Sequence, residues 1–331
     1  MQATPPLLQV RGLTVTFNGR RGRIRAVDDV SFDVARGGAV GVVGESGSGK
    51  SVTALSIMGL LPEPAGVVEA GEILLGQRDL LRLPERDMQA LRGGAMAMIF
   101  QEPMTSLNPV LRIGEQIAET VRLHQPVGRT AAWQRALEML QLVGIPDPLR
   151  RAQDYPHLLS GGMRQRVMIA IALACNPNLL IADEPTTALD VTIQAQILDL
   201  LARLRAQLGS AVVLITHDLG VVAEFVDDVV VMYAGRVMER ASVDRLFRDP
   251  QHPYTRGLLL AIPRISTTSR RLRQIPGSVP SPVAFPSGCR FHPRCAEARA
   301  ICTRLAPPEF VVGPRHASAC WKQSNFREEA A

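Results

Sequence analysis

Lysine is almost missing from this sequence. Of 37 basic residues, 35 are arginine, and Lys50 is the only lysine before Lys322. A net charge of +6 carried on arginine reads as biased composition rather than as a surface for nucleic acid. Long apolar runs are missing as well. The longest, VMIAIALAC at 167–175, falls far short of the roughly 20 residues that a membrane span needs. The opening MQATPPLLQVRG has no basic region followed by an apolar core, so no signal peptide is expected. The expectation is a soluble, intracellular chain, unless another subunit carries it to a membrane. Closely spaced C-x₂₋₄-C pairs are absent although there are five cysteines, and no internal repeat is visible. In a reducing compartment such cysteines point to a metal or cluster more than to disulfides.

What is present suits a sizeable core: 331 residues, 46% apolar and 21% charged, which suggests two or three structural units. LQVRGLTVTF (8–17), SFDV (31–34), VGVV (40–43) and AMAMIF (95–100) read as strands, with a helix in SVTALSIMGLL that stops before Pro62. IGEQIAETVRLH and TAAWQRALEMLQLVG carry apolar residues at helical spacing and read as a helical insertion. NLLIAD (178–183) and AVVLIT (211–216), each followed by a helical stretch, give the alternation of a parallel α/β sheet. VVVMYAGRVMER reads as a hairpin that closes the sheet, and beyond Asp249 lies a Pro- and Arg-rich tail.

The stretch GVVGESGSGKS (41–51) explains the isolated lysine. Gly44 to Ser51 matches G-x-x-x-x-G-K-[ST], placed between a predicted strand and a predicted helix. Gly44, Gly47 and Gly49 let backbone N–H groups turn onto phosphate oxygens, and the helix adds its positive end. Glu45, Ser46, Ser48 and Val52 complete the expected nucleotide-binding set. Lys50 is expected to reach the β- and γ-phosphates, and Ser51 to ligate Mg²⁺. An ammonium suits that narrow loop better than a guanidinium fork. LLIADEP then ends a predicted strand with two carboxylates. Asp183 is expected to hold Mg²⁺ and Glu184 to polarise the attacking water.

With LLSGGMRQR (158–166), FQEP (100–103), ALD (188–190) and ITHD (215–218) in this order, the chain resembles the nucleotide-binding subunit of an ABC transporter from residue 8 to about 240. The resemblance implies an α/β P-loop ATPase core with an antiparallel β subdomain (1–102 and 161–240) and a helical subdomain (103–160). It implies that Ser160, Gly161 and Gly162 serve ATP held by an opposite subunit. It gives Gln101 a γ-phosphate-sensing and Mg²⁺-ligating role, Asp190 the D-loop, and His217 a grip on the γ-phosphate. Phe17, 27 residues before Gly44, is either an adenine-stacking aromatic with Val27 beside it or a core strand residue. Met163 departs from the glutamine that many relatives have there.

Cys289, Cys295, Cys302 and Cys320 are separated by five, six and seventeen residues. Four thiolates can hold a [4Fe–4S] cluster; zinc, with His316 as a possible ligand, and free thiols remain alternatives. Arg290, Arg294, Arg299, Arg304 and Arg315 intersperse the cysteines and could offset the negative charge of a cluster. Cys175 reads as a small buried side chain. HPYT (252–255) followed by Gly288–Cys289, Arg294–Cys295, Cys302 and Cys320 resembles the C-terminal extension (241–331) of peptide-importer ATPases of the dipeptide/oligopeptide class. That resemblance implies an ATP-hydrolysing motor at the cytoplasmic face of the inner membrane. Its implied partners are a second, related ATPase, two membrane-spanning permeases and, indirectly, an extracytoplasmic substrate-binding protein, with no nucleic acid. Nickel, opines or antimicrobial peptides are alternative cargoes. A non-transport role on nucleic acid or ribosomes is disfavoured by the short insertion, which lacks sustained heptads.

Overall fold

The computed structural model describes residues 5–19, 22–101, 106–187, 190–262 and 274–324. Glu102 and Pro103 of FQEP, Ala188 and Leu189 of ALD, and the expected border at 102/103 lie outside the described residues.

The chain begins with strands β1 (Leu8–Gly19), β2 (Gly22–Val34) and β3 (Ala39–Val43), then helix α1 (Lys50–Met58). Strands β4 (Gly66–Leu75) and β5 (Arg78–Asp79), helix α2 (Glu85–Leu91) and strand β6 (Met96–Ile99) follow. Helices α3 (Ile113–His124), α4 (Arg129–Leu142), α5 (Pro148–Arg151) and α6 (Gly161–Leu173) precede strand β7 (Leu179–Asp183). Next come α7 (Val191–Leu208), β8 (Ala211–Thr216), α8 (Leu219–Phe225), β9 (Asp228–Tyr233) and β10 (Arg236–Ser242). The tail supplies α9 (Val243–Arg248), α10 (Pro253–Leu260), α11 (Ala300–Arg304), β11 (Phe310–Gly313) and β12 (His316–Ser318). Two compact units result, one built from 1–8, 34–39 and 78–214, the other from 9–33, 40–77 and 215–331.

In the first unit β6 runs parallel to β7, from Met96 opposite Leu179 to Ile99 opposite Ala182. Every residue of both strands is buried. Strands covered on both faces need the unbroken apolar runs seen here rather than alternation. Helix α3 buries Ile113, Ile117, Ala118 and Val121, one face at helical spacing, and packs on α4. Helix α7 ends at Gly209, whose φ of 67° gives a left-handed cap.

In the second unit β3 is parallel to β9, with Val40 opposite Asp228 and Val43 opposite Val231. Strands β9 and β10 form the expected hairpin, but it does not close the sheet. Strand β12 pairs antiparallel with β10, Arg240 opposite Ala317, and β11 pairs with β12 beyond it. A three-residue strand, His-Ala-Ser, has no apolar periodicity to announce it; the β10 edge makes it a strand by offering the ladder. Strands β2, β1 and β4 form a separate sheet in that order. Among the described residues no helix is long and apolar enough to cross a membrane.

The described residues of the tail therefore pack as part of the second unit. Its anchor is an aromatic cluster: the Tyr233 ring lies 4.7 Å from Tyr254 and 5.3 Å from Phe291. All three rings are buried, and tilted or edge-on aromatic pairs add about 0.5–1.5 kcal/mol each beyond their area.

Candidate functional site

The glycine loop leaves β3 at Gly44, whose φ is +155°. A Cβ there would lie 2.1 Å from the Met232 carbonyl oxygen of β9, so only glycine fits. The loop ends at Gly49, φ +98°, which caps α1 without a side-chain hydrogen bond. Ser46 and Gly47 are exposed, and a Cβ on Gly47 would meet nothing within 4 Å. The cradle is thus closed behind and open in front. Lys50 is buried, its ammonium inside the loop, donating to the carbonyls of Gly44 at 2.8 Å and Glu45 at 3.1 Å. Ser51 and Val52 form the first turn of α1. Glu45 faces away from the open side: its N–H donates to the Tyr254 hydroxyl and its carboxylate takes the Arg294 guanidinium.

In the same unit Phe17 is half-buried on β1, and a Cβ on Gly66 of β4 would lie 3.0 Å from its ring. Val27 is fully buried, so the expected apolar neighbour of an adenine presents no surface here. His217 follows β8 and is exposed, and Asp218 beside it caps α8.

The first unit brings Gln101 and Glu184 together. Gln101 Nε2 donates to Glu184 Oε2 at 3.2 Å, so its amide oxygen is the atom that could ligate a cation. Asp183 ends β7 and is 5% exposed. Glu184 follows with φ +46°, a left-handed conformation that is costly for a side-chain-bearing residue and common where geometry serves a site. Thr187, which the motif reading missed, donates its hydroxyl to Glu184 Oε2 at 2.8 Å and its N–H to the Glu184 carbonyl at 3.2 Å. Its three-residue spacing from a carboxylate was the available signal.

Ser160 caps α6, its hydroxyl accepting from the Met163 N–H at 3.4 Å, while Ser160 and Gly161 stay exposed. Asp190 caps α7 by accepting from the Ile193 N–H at 2.9 Å. Gly162 packs where a Cβ would come within 3.0 Å of Ile193, so the two helix starts are neighbours. An uncovered helix N-terminus with a serine cap is suited to an anion.

In the tail, Cys289, Cys295, Cys302 and Cys320 line one narrow cavity of about 20 Å³ with His252 and Trp321. Burial drives the Cys289 thiol up to about 11, helped by the other three cysteines, and burial likewise raises Cys295 and Cys320. Among the described residues no three His, Cys, Asp or Glu side chains are gathered so as to hold a metal ion. His316 is withdrawn from any ligand set: it is 4% exposed and its Nε2 lies 2.8 Å from the Glu239 carboxylate, which also accepts the N–H groups of Gln251 and His252. Cys175 is only half-buried, and burial raises its thiol.

The chain matches the ABC transporter family over residues 27–187 and the oligopeptide/dipeptide transporter C-terminal region over 238–302. It is 54% identical to the probable peptide ABC transporter ATP-binding protein y4tR of Sinorhizobium fredii, covering 98% of both chains. It is 55% identical to the oligopeptide transport ATP-binding protein AppD of Bacillus subtilis, over 91% of this chain and 92% of that one. Among solved structures, the dimeric ATP-binding cassette MJ0796 in a post-hydrolysis state with ADP and Pi matches with a TM-score of 0.64 and 29% identity, over 71% of this chain and 98% of the cassette. The chain is therefore a member of the ABC transporter ATP-binding protein family, an ABC ATPase cassette carrying the oligopeptide/dipeptide transporter C-terminal region.

Proposed function

We propose that this protein is the ATP-hydrolysing motor subunit of an importer for di- and oligopeptides. What carries the reading is the presence, in one chain, of the lysine-centred phosphate loop and a C-terminal region matched to oligopeptide/dipeptide transporters. Relatives named for peptide transport along nearly the whole chain support the cargo.

In this reading the N–H groups of the loop and the Lys50 ammonium hold the phosphates of ATP, and Phe17 stacks on its base. Ser51, Gln101 and Asp183 present a hydroxyl, an amide oxygen and a carboxylate, an all-oxygen set that suits Mg²⁺, which neutralises charge on the phosphates when bound. Glu184 takes the proton of the attacking water, held in orientation by Thr187 and Gln101. His217 steadies the γ-phosphate. Ser160, Gly161 and Gly162 meet the ATP of an opposite cassette, a related ATPase, so that ATP joins the two and hydrolysis releases them. Asp190 lines the approach. The opening and closing drive two membrane-spanning partners from the cytoplasmic face, fed by an extracytoplasmic binding protein.

We further propose that the four tail cysteines, which line one cavity but are not gathered as a metal-binding group here, supply the thiols of a tetrathiolate site. Burial raises the Cys289, Cys295 and Cys320 thiols, so a bound cation is what would keep these three ionised. A [4Fe–4S] cluster, with zinc as the alternative, would cross-link residues 289–320. Iron, sulfide and zinc analysis of protein purified without oxygen tests this: four iron and four sulfide per chain are expected, and absence of all three elements overturns it.

The motor reading is tested with Glu184→Gln. Its ATP hydrolysis falls about 10²–10⁴-fold while ATP binding persists and a closed cassette dimer accumulates. Unimpaired turnover in that variant removes the role given to Glu184.

A further inference from the structure

Among the described residues, the tail reaches back onto the phosphate loop at Glu45. The Arg294 guanidinium grips its carboxylate with both arms, Nη1 to Oε2 at 2.7 Å and Nη2 to Oε1 at 3.1 Å. Its other N–H groups are also engaged: Nη1 with the Tyr233 hydroxyl at 3.3 Å, Nη2 with the Ile275 carbonyl at 3.2 Å and Nε with the Pro276 carbonyl at 2.9 Å. All five donors of the fork therefore meet an acceptor, and the side chain is only 5% exposed. A two-armed charge-assisted contact of this kind fixes direction as well as distance, which a lysine cannot do.

Tyr254 holds the same residue from the backbone. Its hydroxyl accepts the Glu45 N–H at 3.0 Å, and its ring is wedged against Tyr233 and Phe291 with no exposed surface. The third polar group of Glu45, its carbonyl, accepts from Lys50 at 3.1 Å. Glu45 is thus shared, with two groups held by the tail and one by the lysine that reads phosphate. A second arginine of the cysteine segment behaves alike: buried Arg290 bonds the Asp28 carboxylate and the Ala234 carbonyl. Both Tyr254 and Arg294 lie inside the matched oligopeptide/dipeptide C-terminal region, 238–302.

We propose that Arg294 and Tyr254 are positioning residues for ATP, anchoring Glu45 so that Lys50 and the donors from Gly47 to Ser51 stand preformed for the phosphates. Because the Glu45 N–H is spent on Tyr254, the cradle consists of the residues after it. A loop released from this anchor has more conformational freedom to lose when it closes on phosphate, so affinity drops while the chemical step is untouched. The inference rests on the ATP-site reading of the loop.

The test uses the full chain, a fluorescent ATP analogue for binding and steady-state hydrolysis for KM and kcat. Wild-type protein that binds no nucleotide would sink the ATP-site reading itself. With wild-type binding established, Arg294→Gln is expected to raise Kd and KM for ATP about tenfold, with kcat changed less than about twofold. Arg294→Lys falls between, and Tyr254→Phe raises Kd about threefold. Combining Glu45→Gln with Arg294→Gln weakens binding no further than the weaker single variant, since both break one contact. Unchanged affinity in a folded Arg294→Gln protein, a loss confined to kcat, or fully multiplicative effects of the two substitutions would overturn the proposal. If Arg294→Gln does not fold, Tyr254→Phe decides alone, and wild-type affinity there counts against it.

Discussion

Two glutamates, Glu184 in one unit and Glu45 in the other, are held in different ways. Glu184 is half-buried, lies on a left-handed backbone, and is held by side chains at its own loop and at Gln101, with hydrogen bonds of 2.8 and 3.2 Å. Glu45 is locked by a buried guanidinium 249 residues away and a tyrosine hydroxyl 209 residues away. The two bonds described for Glu184 come from neutral groups, which suits a carboxylate proposed to take up a proton. A carboxylate whose task is to fix a loop benefits from a full counter-charge. On the proposed roles, these surroundings suit a proton acceptor at Glu184 and an anchor at Glu45.

The contrast predicts that the phosphate loop fails through its backbone and the carboxylate loop through its side chains. The severest lesion should be Gly44→Ala, because the added methyl would lie 2.1 Å from the Met232 carbonyl and 2.8 Å from the Ser48 hydroxyl. Either β9 or the loop must move, and strain with overpacking of that size costs several kcal/mol, enough to weaken ATP binding about a hundredfold or more. Nucleotide titration beside a thermal melt separates loss of the cradle from loss of the fold. Near-normal ATP affinity in this variant would show that the loop is not set by its backbone fit. The Arg294 substitutions come next in size, since they loosen the same loop without displacing it.

Legibility followed range. The loop from Gly44 to Ser51, the ends of β7 and β8, the serine cap of α6 and the hairpin of β9 and β10 could all be read, because each depends on neighbours in sequence. Strands β11 and β12 could not, since three or four residues become a strand only when an edge is offered to them. The ties from Tyr254 and Arg294 were hidden for the same reason: nothing in HPYT or in the cysteine segment says that it folds back onto Glu45. Val27 was misplaced because position beside the loop says nothing of depth; it points into the core. His316, offered as a zinc donor, turned out to be spent on buried Glu239, a pairing formed across adjacent strands β10 and β12.

The smallest predicted effect tests the open side of the contrast. Thr187→Ala removes one neutral hydrogen bond of 2.8 Å from Glu184 and leaves the carboxylate, the Gln101 amide and solvent in place. Loss of a single such bond is worth about 0.5–1.5 kcal/mol, so kcat should fall about three- to tenfold with ATP affinity unchanged. Thr187→Ser, which keeps the hydroxyl, should recover most of that loss in the same hydrolysis assay. A drop as deep as that of Glu184→Gln would mean that the hydroxyl takes part in the proton transfer instead of orienting the group that does. Full activity would mean that Gln101 and the strained backbone at Glu184 suffice to aim it.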